Sequence, residues 1–148
     1  MNRSVSAWHL RRARLEDAAE IARLMTELGY PIEAAEILPR LQALLVHPDH
    51  LVTVAAGPND HLSGVIMAEH RVLLLYGPQV EIMGLSVGSD VRRMGVGHAL
   101  VKAVEAWARQ FGTGGSPFAR MSSVPNHILF TRRLVTSARR RSTSTPGR

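Results

Sequence analysis

The feature of this sequence that most limits its fold is a strand-like run, a glycine-containing loop and a helical pattern, in that order. Residues 80–87 are rich in β-branched and aliphatic side chains and predict a strand. The loop Arg92-Arg93-Met94-Gly95-Val96-Gly97 follows, and a helix is predicted from there to Gly112. The apolar residues of that helix recur at helical spacing: Leu100, Ala103, Val104, Trp107 and Phe111.

A strand, a glycine loop and a helix N-terminus in this order predict an anion-binding site. The free amides of the first helical turn and the positive end of the helix dipole point at the same place. Gly95 and Gly97 have no Cβ, so a phosphate can approach the main chain closely. The spacing is neither familiar nucleotide signature. Gly-Lys-Ser/Thr is absent, and Leu100 and Val101 stand where G-x-G-x-x-G needs its third glycine.

The rest of the chain predicts an α/β protein of the α+β kind, with a mixed, mostly antiparallel sheet flanked by helices. A length of 148 residues fits one main domain, which we place at residues 1–115. Residues 71–76 either extend the strand before them or form a short neighbour. The other predicted elements are a strand over residues 6–13, a helix over 15–28 that Gly29 ends, a helical stretch over 32–46 that Pro39 kinks or splits, and hairpin strands over 51–56 and 61–69.

Composition excludes several classes of function. The chain has no cysteine, which excludes disulfides, thiolate catalysis and zinc ribbons. The close pair His47 and His50 lacks the spacing of a known metal motif, so we interpret it as a polar helix exit and expect no metal. No apolar run approaches the ~20 residues of a membrane span. Residues 1–7 lack the apolar core of a secretory signal, so we expect a cytoplasmic protein.

The net charge of +6 is concentrated in the last part of the chain. All twelve acidic residues precede residue 116, whereas seven arginines follow it. We therefore expect residues 116–148 to be a divergent, basic, poorly ordered segment. Nucleic-acid binding through this segment is one alternative function, although it lacks interleaved aromatic residues and any known DNA-reading motif.

The loop Arg92-x-x-Gly95-x-Gly97 resembles the pyrophosphate loop of the GNAT acetyltransferase superfamily, Q/R-x-x-G-x-G/A. The likeness covers about residues 7–112 and implies a GNAT-like acyl-CoA N-acyltransferase fold. It also implies an N-acetyltransferase that moves an acetyl group from acetyl-CoA to a primary amine of a small molecule or peptide. Four further stretches fit the same family: residues 44–55, 64–66, 82–87 and 106–108.

The resemblance also implies roles for particular residues. Glu81, near the start of the cofactor strand, is the candidate general base, with a salt-bridge partner as the alternative role and Glu69 as the second choice. Amides of the loop would face the pyrophosphate, with added charge from an arginine, and the strand backbone would pair with the pantetheine arm and the acetyl oxygen. The implied acetyl-CoA-binding residues are Leu85, Ser86, Val87, Arg92, Arg93, Met94, Gly95, Val96, Gly97 and His98.

The acceptor pocket is expected beside the two N-terminal helices and the loop between them. Four residues of this region could attract a cationic amine. The alternative is that its acids are solvated on the helix surface. The four are Glu27, Tyr30, Glu33 and Glu36.

The chain departs from the family pattern after Gly112. The block R-x-x-S/A-H-x-F-Y-x-x-L-G-Y is missing, and no tyrosine follows Tyr76 to return a proton to the coenzyme thiolate. A remnant that binds coenzyme A without turnover is therefore a second alternative function. A missing strand partner would also leave an exposed sheet edge, which favours aggregation or pairing with another chain, for example in a homodimer.

A frameshift would account for the missing block. The codons for residues 124–136, read one nucleotide early, permit that block in order. Our hypothesis is a frameshift in the gene or its recorded sequence near residues 113–123, and the alternative is natural divergence.

Overall fold

The computed structural model describes residues 8–89 and 95–112, which form one antiparallel sheet with three helices. The four strands follow chain order across the sheet, and each pairs antiparallel with the next. This confirms the α+β class and the mostly antiparallel sheet. No described strand is parallel to its neighbour, so the mixed character of the sheet stays a prediction. The strands are β1 (His9–Arg12), β2 (His50–Ala56), β3 (Leu62–Leu73) and β4 (Gly77–Val87), and the helices are α1 (Ala18–Leu28), α2 (Ala34–Val46) and α3 (Val96–Ala108).

The helices cover both faces of the sheet. Alternate residues of each strand point to opposite faces, so β2 and β3 supply two apolar surfaces. Helix α3 packs on one surface, where Leu100 and Val104 are fully buried against Ile66. Helices α1 and α2 pack on the other, with Leu24 and Leu41 in its core. Trp8 and Leu10 pack on the α3 side of the sheet.

Gly29 ends helix α1, whereas Pro39 lies inside helix α2 without interrupting it. Gly29 ends α1 as predicted, in the left-handed region at φ 108°, and its N–H bonds back to the carbonyl of Thr26 at 3.0 Å. Pro39 does not split the second helix, so that alternative is wrong. Helix α2 is continuous, and Pro39 and Ala35 are both exposed, so water can satisfy the Ala35 carbonyl that lacks a proline N–H.

Residues 71–73 extend β3, in agreement with the first of the two predicted alternatives, whereas residues 74–76 form a turn. The strand continues to Leu73, and a short turn leads into β4 at Gly77. Leu74 and Leu75 at this turn are almost fully exposed. The long hairpin therefore projects beyond the part of the sheet that the helices cover.

Strand β4 contains a β-bulge at Met83. Ala68 of β3 pairs with Ile82 and Met67 pairs with Gly84, so Met83 has no partner residue in the register. Met83 and Gly84 both face the side of α1 and α2, where an ideal Cβ on Gly84 would lie 3.5 Å from Met67 Cε. Beyond the bulge, Leu85 returns to the α3 side.

The predicted tail, residues 116–148, lies outside the described residues. Its order and the frameshift hypothesis therefore stay predictions. None of the helices in the described part of the chain is both long and apolar enough to span a membrane.

Candidate active site

The N-terminus of α3 is held tightly against the sheet. An ideal Cβ on Gly64 of β3 would lie 3.0 Å from Val96 Cγ1 and 3.1 Å from Leu100 Cδ1. Only glycine gives the first turn of α3 room to approach this closely. Val96 is 1% exposed, so its side chain anchors the helix while the amides of the first turn lack partners within it.

The main chain at this helix end is open to a ligand. Gly95 is the N-cap of α3 at φ +81°, and an ideal Cβ there would meet no atom of the described residues within 4 Å. At Gly97 an ideal Cβ would lie 3.5 Å from Val87 Cγ2. His98 is exposed in the first turn. Free amides and the positive helix end therefore meet beside the end of β4, as an anion site requires.

Strand β4 is the edge of the described sheet and carries unpaired backbone groups. The N–H of Gly88 bonds to the Ser63 carbonyl at 2.8 Å, and the Ser86 carbonyl lies 3.1 Å from an ideal Cβ on Gly64. Backbone groups alternate sides along an antiparallel strand. The N–H and C=O groups of Leu85 and Val87 therefore face away from β3, toward the open edge.

Ser86 differs from its two neighbours. Its backbone faces β3, opposite Val65, and its hydroxyl donates a hydrogen bond to the Leu24 carbonyl of α1 at 3.3 Å. Ser86 is buried, at 4% exposure. The open edge near the helix end is therefore formed by Leu85 and Val87, while Ser86 fixes the strand to α1.

A pair of charged residues fixes α1 over the sheet. Arg23 donates to the Leu62 carbonyl at 2.7 Å, and Glu20 accepts from the Leu62 N–H at 2.8 Å. Arg23 also bonds to Glu20 at 3.0 Å. These hydrogen bonds outweigh burial, so the pKa of Glu20 lies below its ordinary value and the pKa of Arg23 lies above it. Both groups remain charged at neutral pH, which holds α1 in place.

A cavity of about 620 Å³ lies between α1, α2 and the sheet, and it reaches the bulge of β4. Its volume is that of a small-molecule site. Helix α1 contributes Met25, the following loop contributes Tyr30 and Ile32, and β4 contributes Met83 and Leu85. The cavity therefore reaches residue 85, whose backbone faces the open edge.

The cavity wall is almost entirely apolar. Of the described residues that line it, Arg40 alone carries a charge. The predicted attraction of a cation by acids of this region is not supported, because Glu27, Glu33 and Glu36 are not in the wall. Glu27 bonds instead to Arg23 at 2.6 Å, and Glu33 and Glu36 cap the start of α2.

Glu81 lies on the same sheet face as the cavity, two residues before Met83, but is not in the cavity wall. Its carboxylate is paired with Arg71 at 2.5 Å, and Glu69 is its register partner on β3. Both side chains of the Arg71–Glu81 pair are about two-fifths exposed. The salt bridge is formed, and the role of Glu81 as general base stays a prediction.

The structure brings most of the predicted site residues together. Residues 85–87 and 95–98 meet where β4 ends and α3 begins, with Gly97 and Val87 in near contact. Arg92, Arg93 and Met94 lie outside the described residues. Sequence reasoning missed Arg40 and the bulge at Met83, since neither has a local sequence signal.

The strands and helices described above lie mostly within the region that matches a known family. The model of the acetyltransferase (GNAT) family matches residues 15–130. The chain belongs to the GNAT acetyltransferase family. Its members use acetyl-CoA as the acetyl donor. The match reaches beyond Gly112, where the sequence resemblance stops, and no curated protein matches the sequence.

Solved GNAT structures share the fold at low sequence identity. A GNAT family acetyltransferase from Staphylococcus aureus is 18% identical, with a TM-score of 0.62 over 70% of this chain and 79% of that one. The aminoglycoside 6'-N-acetyltransferase AAC(6')-Ih from Acinetobacter baumannii is 22% identical, with a TM-score of 0.63 over 72% and 75%. Glucosamine-6-phosphate N-acetyltransferase from Arabidopsis thaliana is 18% identical, with a TM-score of 0.57 over 71% and 76%.

The described residues contain no cluster of three or more histidine, aspartate or glutamate side chains that could hold a metal ion. The end of β4 and the start of α3 offer backbone groups and a helix N-terminus. These are the groups that suit a phosphate-bearing ligand.

Proposed function

We propose that this protein is an N-acetyltransferase that transfers the acetyl group of acetyl-CoA to a primary amine. The observation that carries the proposal is the open edge of β4 at Leu85 and Val87 directly beside the uncapped N-terminus of α3. This pair of features suits a long ligand with a diphosphate at one end and an amide-bearing arm at the other. Membership of the GNAT family supports the same donor.

The donor would be held by the main chain. Amides of Gly95, Val96, Gly97 and His98 would bind the pyrophosphate, with Arg92, Arg93 and Met94 completing the loop. The outward groups of Leu85 and Val87 would pair with the pantetheine arm. An N–H at this edge would also bind the thioester oxygen as negative charge develops on it. Ser86 would support the site by fixing β4 to α1.

Acetyl transfer needs a base that removes a proton from the amine and a source of a proton for the coenzyme thiolate. The amine nitrogen attacks the thioester carbon, an N–C bond forms and the C–S bond breaks, leaving the coenzyme as a thiolate. Glu81 would accept the proton that the amine loses, directly or through water, although its carboxylate must share this role with its bond to Arg71. Solvent can return a proton to the thiolate.

A binding protein without turnover is the second candidate function. It is favoured by the absence of any tyrosine after Tyr76, which removes the usual proton donor of the family pattern. The two functions share the coenzyme site and differ only in turnover. A cytoplasmic location and a homodimer stay predictions.

The test is calorimetric titration of the full chain with acetyl-CoA. Gly95→Ala should weaken binding at least tenfold, which is about 1.4 kcal/mol. Gly112→Ala is the matched control, since Gly112 also has a positive φ (58°) and no atom of the described residues within 4 Å of its Cβ position. Each substitution should cost about 1 kcal/mol of stability. Absence of binding heat from the folded chain would overturn the proposal, and binding without thiol release in the presence of amines would favour the second candidate.

A further inference from the structure

The cavity beside β4 has the character of a site for a hydrophobic molecule. Ile37, Leu41 and Leu44 of α2 face Val65 and Met67 of the sheet across it. A ligand that removes these surfaces from water gains about 25 cal/mol per Å² of apolar area. Most of the acceptor that fits here is therefore apolar.

The same wall opposes a polycationic acceptor. Each ammonium group that enters loses water and needs a carboxylate or a set of acceptors in return. No carboxylate among the described residues lines the cavity, and the nearby acids Glu20 and Glu27 are both paired with Arg23. An acceptor with several ammonium groups would leave them without partners.

Arg40 is the charged residue among the described residues that line the cavity, and its side chain is exposed. It extends from α2, which packs on β2, whereas the open edge belongs to β4, two strands away. Two strand spacings correspond to about 10 Å. Arg40 makes no ion pair with another described residue, in contrast to Arg11 and Arg71. Its guanidinium is therefore available to an anionic ligand group.

We propose that the acceptor is a primary amine on an apolar body with an anionic group at its far end, bound with the amine at the edge of β4 and the anion at Arg40. The inference rests on the proposed function, because the β4 edge is the reacting end only if acetyl-CoA binds there. The cavity and Arg40 select the acceptor, and the backbone of β4 presents the donor.

Three ligands of equal length test the assignment: 8-aminooctanoate, octylamine and 1,8-diaminooctane. They share an amine and an apolar chain and differ only in the far group, which is anionic, neutral or cationic. Calorimetry without acetyl-CoA should give the tightest binding for 8-aminooctanoate and the weakest for 1,8-diaminooctane. Arg40→Glu should weaken 8-aminooctanoate at least tenfold and strengthen 1,8-diaminooctane. Arg109→Glu, an exposed change after α3, should change neither.

Gly84→Leu provides a second test that does not depend on charge. Gly84 lines the cavity and an ideal Cβ there makes only an ordinary contact, so a leucine extends into the cavity without forcing the strand apart. It should weaken all three ligands together. Equal binding of the anionic and neutral ligands, tightest binding of the diamine, no binding at all, or no effect of either variant would overturn the proposal. If the unmodified protein does not bind acetyl-CoA but binds the three ligands in the expected order of affinity, the proposed function is overturned and the assignment of the cavity is kept.

Discussion

The Ser86 hydroxyl and the Leu24 carbonyl are joined by a hydrogen bond of 3.3 Å between β4 and α1. Both residues are buried, Leu24 completely. The bond links the strand that carries the proposed donor site to the helix that forms one wall of the acceptor cavity. The two halves of the proposed site are therefore held together by a polar contact within an apolar layer.

Ser86→Ala should reduce the free energy of unfolding by about 1 kcal/mol, the usual contribution of one such hydrogen bond. The measurement is urea denaturation followed by circular dichroism. Thr26→Ala on the exposed side of α1 is the control and should change stability by less than about 0.5 kcal/mol. Equal stability of Ser86→Ala and the unmodified chain would show that the bond contributes nothing.

Gly64→Ala should destabilise the protein by about 1–3 kcal/mol, because the new Cβ would lie within 3.1 Å of Val96, Leu100 and the Ser86 carbonyl. The helix end that forms the anion site would have to move away from β3. Gly84→Ala is the matched control on the next strand, where the contact is 3.5 Å and the cost should be small. Thermal unfolding of both variants measures the difference, and equal melting temperatures would contradict the close approach.

Asp17→Asn should destabilise the protein by about 3 kcal/mol at neutral pH. Asp17 is 3% exposed and accepts two hydrogen bonds from Arg11, at 2.8 and 2.9 Å, and one from the Arg14 N–H at 2.8 Å. Burial alone would raise the pKa of Asp17, but these bonds outweigh it and lower the pKa below its ordinary 3.8. The variant leaves Arg11 without its main charged partner.

The sign of the pH dependence follows from the lowered pKa. The Asp17 contribution is complete above the pKa of the unfolded chain and is lost as pH falls through the lower pKa of the folded chain. The unfolding free energies of the two proteins should therefore converge below about pH 4. Glu16→Gln, an exposed neighbour, should show no such convergence. If the difference in unfolding free energy between the two proteins stays constant as the pH falls below about 4, ionisation of Asp17 is not its source.

Glu81→Gln should lower the turnover number by about 10²–10⁴-fold if Glu81 is the general base, with acetyl-CoA affinity unchanged. The acidic limb of the pH–rate profile should also disappear. Glu69→Gln is the matched comparison, because Glu69 is the register partner of Glu81, shares its contact with Arg71 and is the second candidate base. A loss from Glu69→Gln alone would assign the role of base to Glu69. Similar losses from both variants would assign the effect to the charge cluster rather than to a base.

Local chemistry made much of the fold predictable. Helices end at Gly29 and Gly112, and α3 begins after Gly95. All three glycines have a positive φ, a backbone conformation that glycine adopts easily. The apolar face of α3 follows from side-chain spacing alone. These features need only residues near one another in sequence, so the sequence is sufficient to predict them.

The cavity and the bulge depend on contacts between distant residues and could not be predicted. Met83 and Gly84 are both compatible with a regular strand, and only pairing with β3 shows which residue is extra. Nothing in the local sequence distinguishes Arg40 from other exposed polar residues of a helix. Only the packing of α2 on β2 places Arg40 at the cavity. The role of Gly64 likewise depends on where α3 docks.

The bulge at Met83 makes this strand tolerant of a change in chain length. Removing this one residue would leave every pairing between β3 and β4 in place, since Met83 has no partner. The side chains before and after it would keep their faces, because Ile82 and Leu85 already lie on the same side. Single-residue insertion or deletion at this point is therefore a route by which a lineage can reshape the acceptor cavity while its core and its donor edge stay the same.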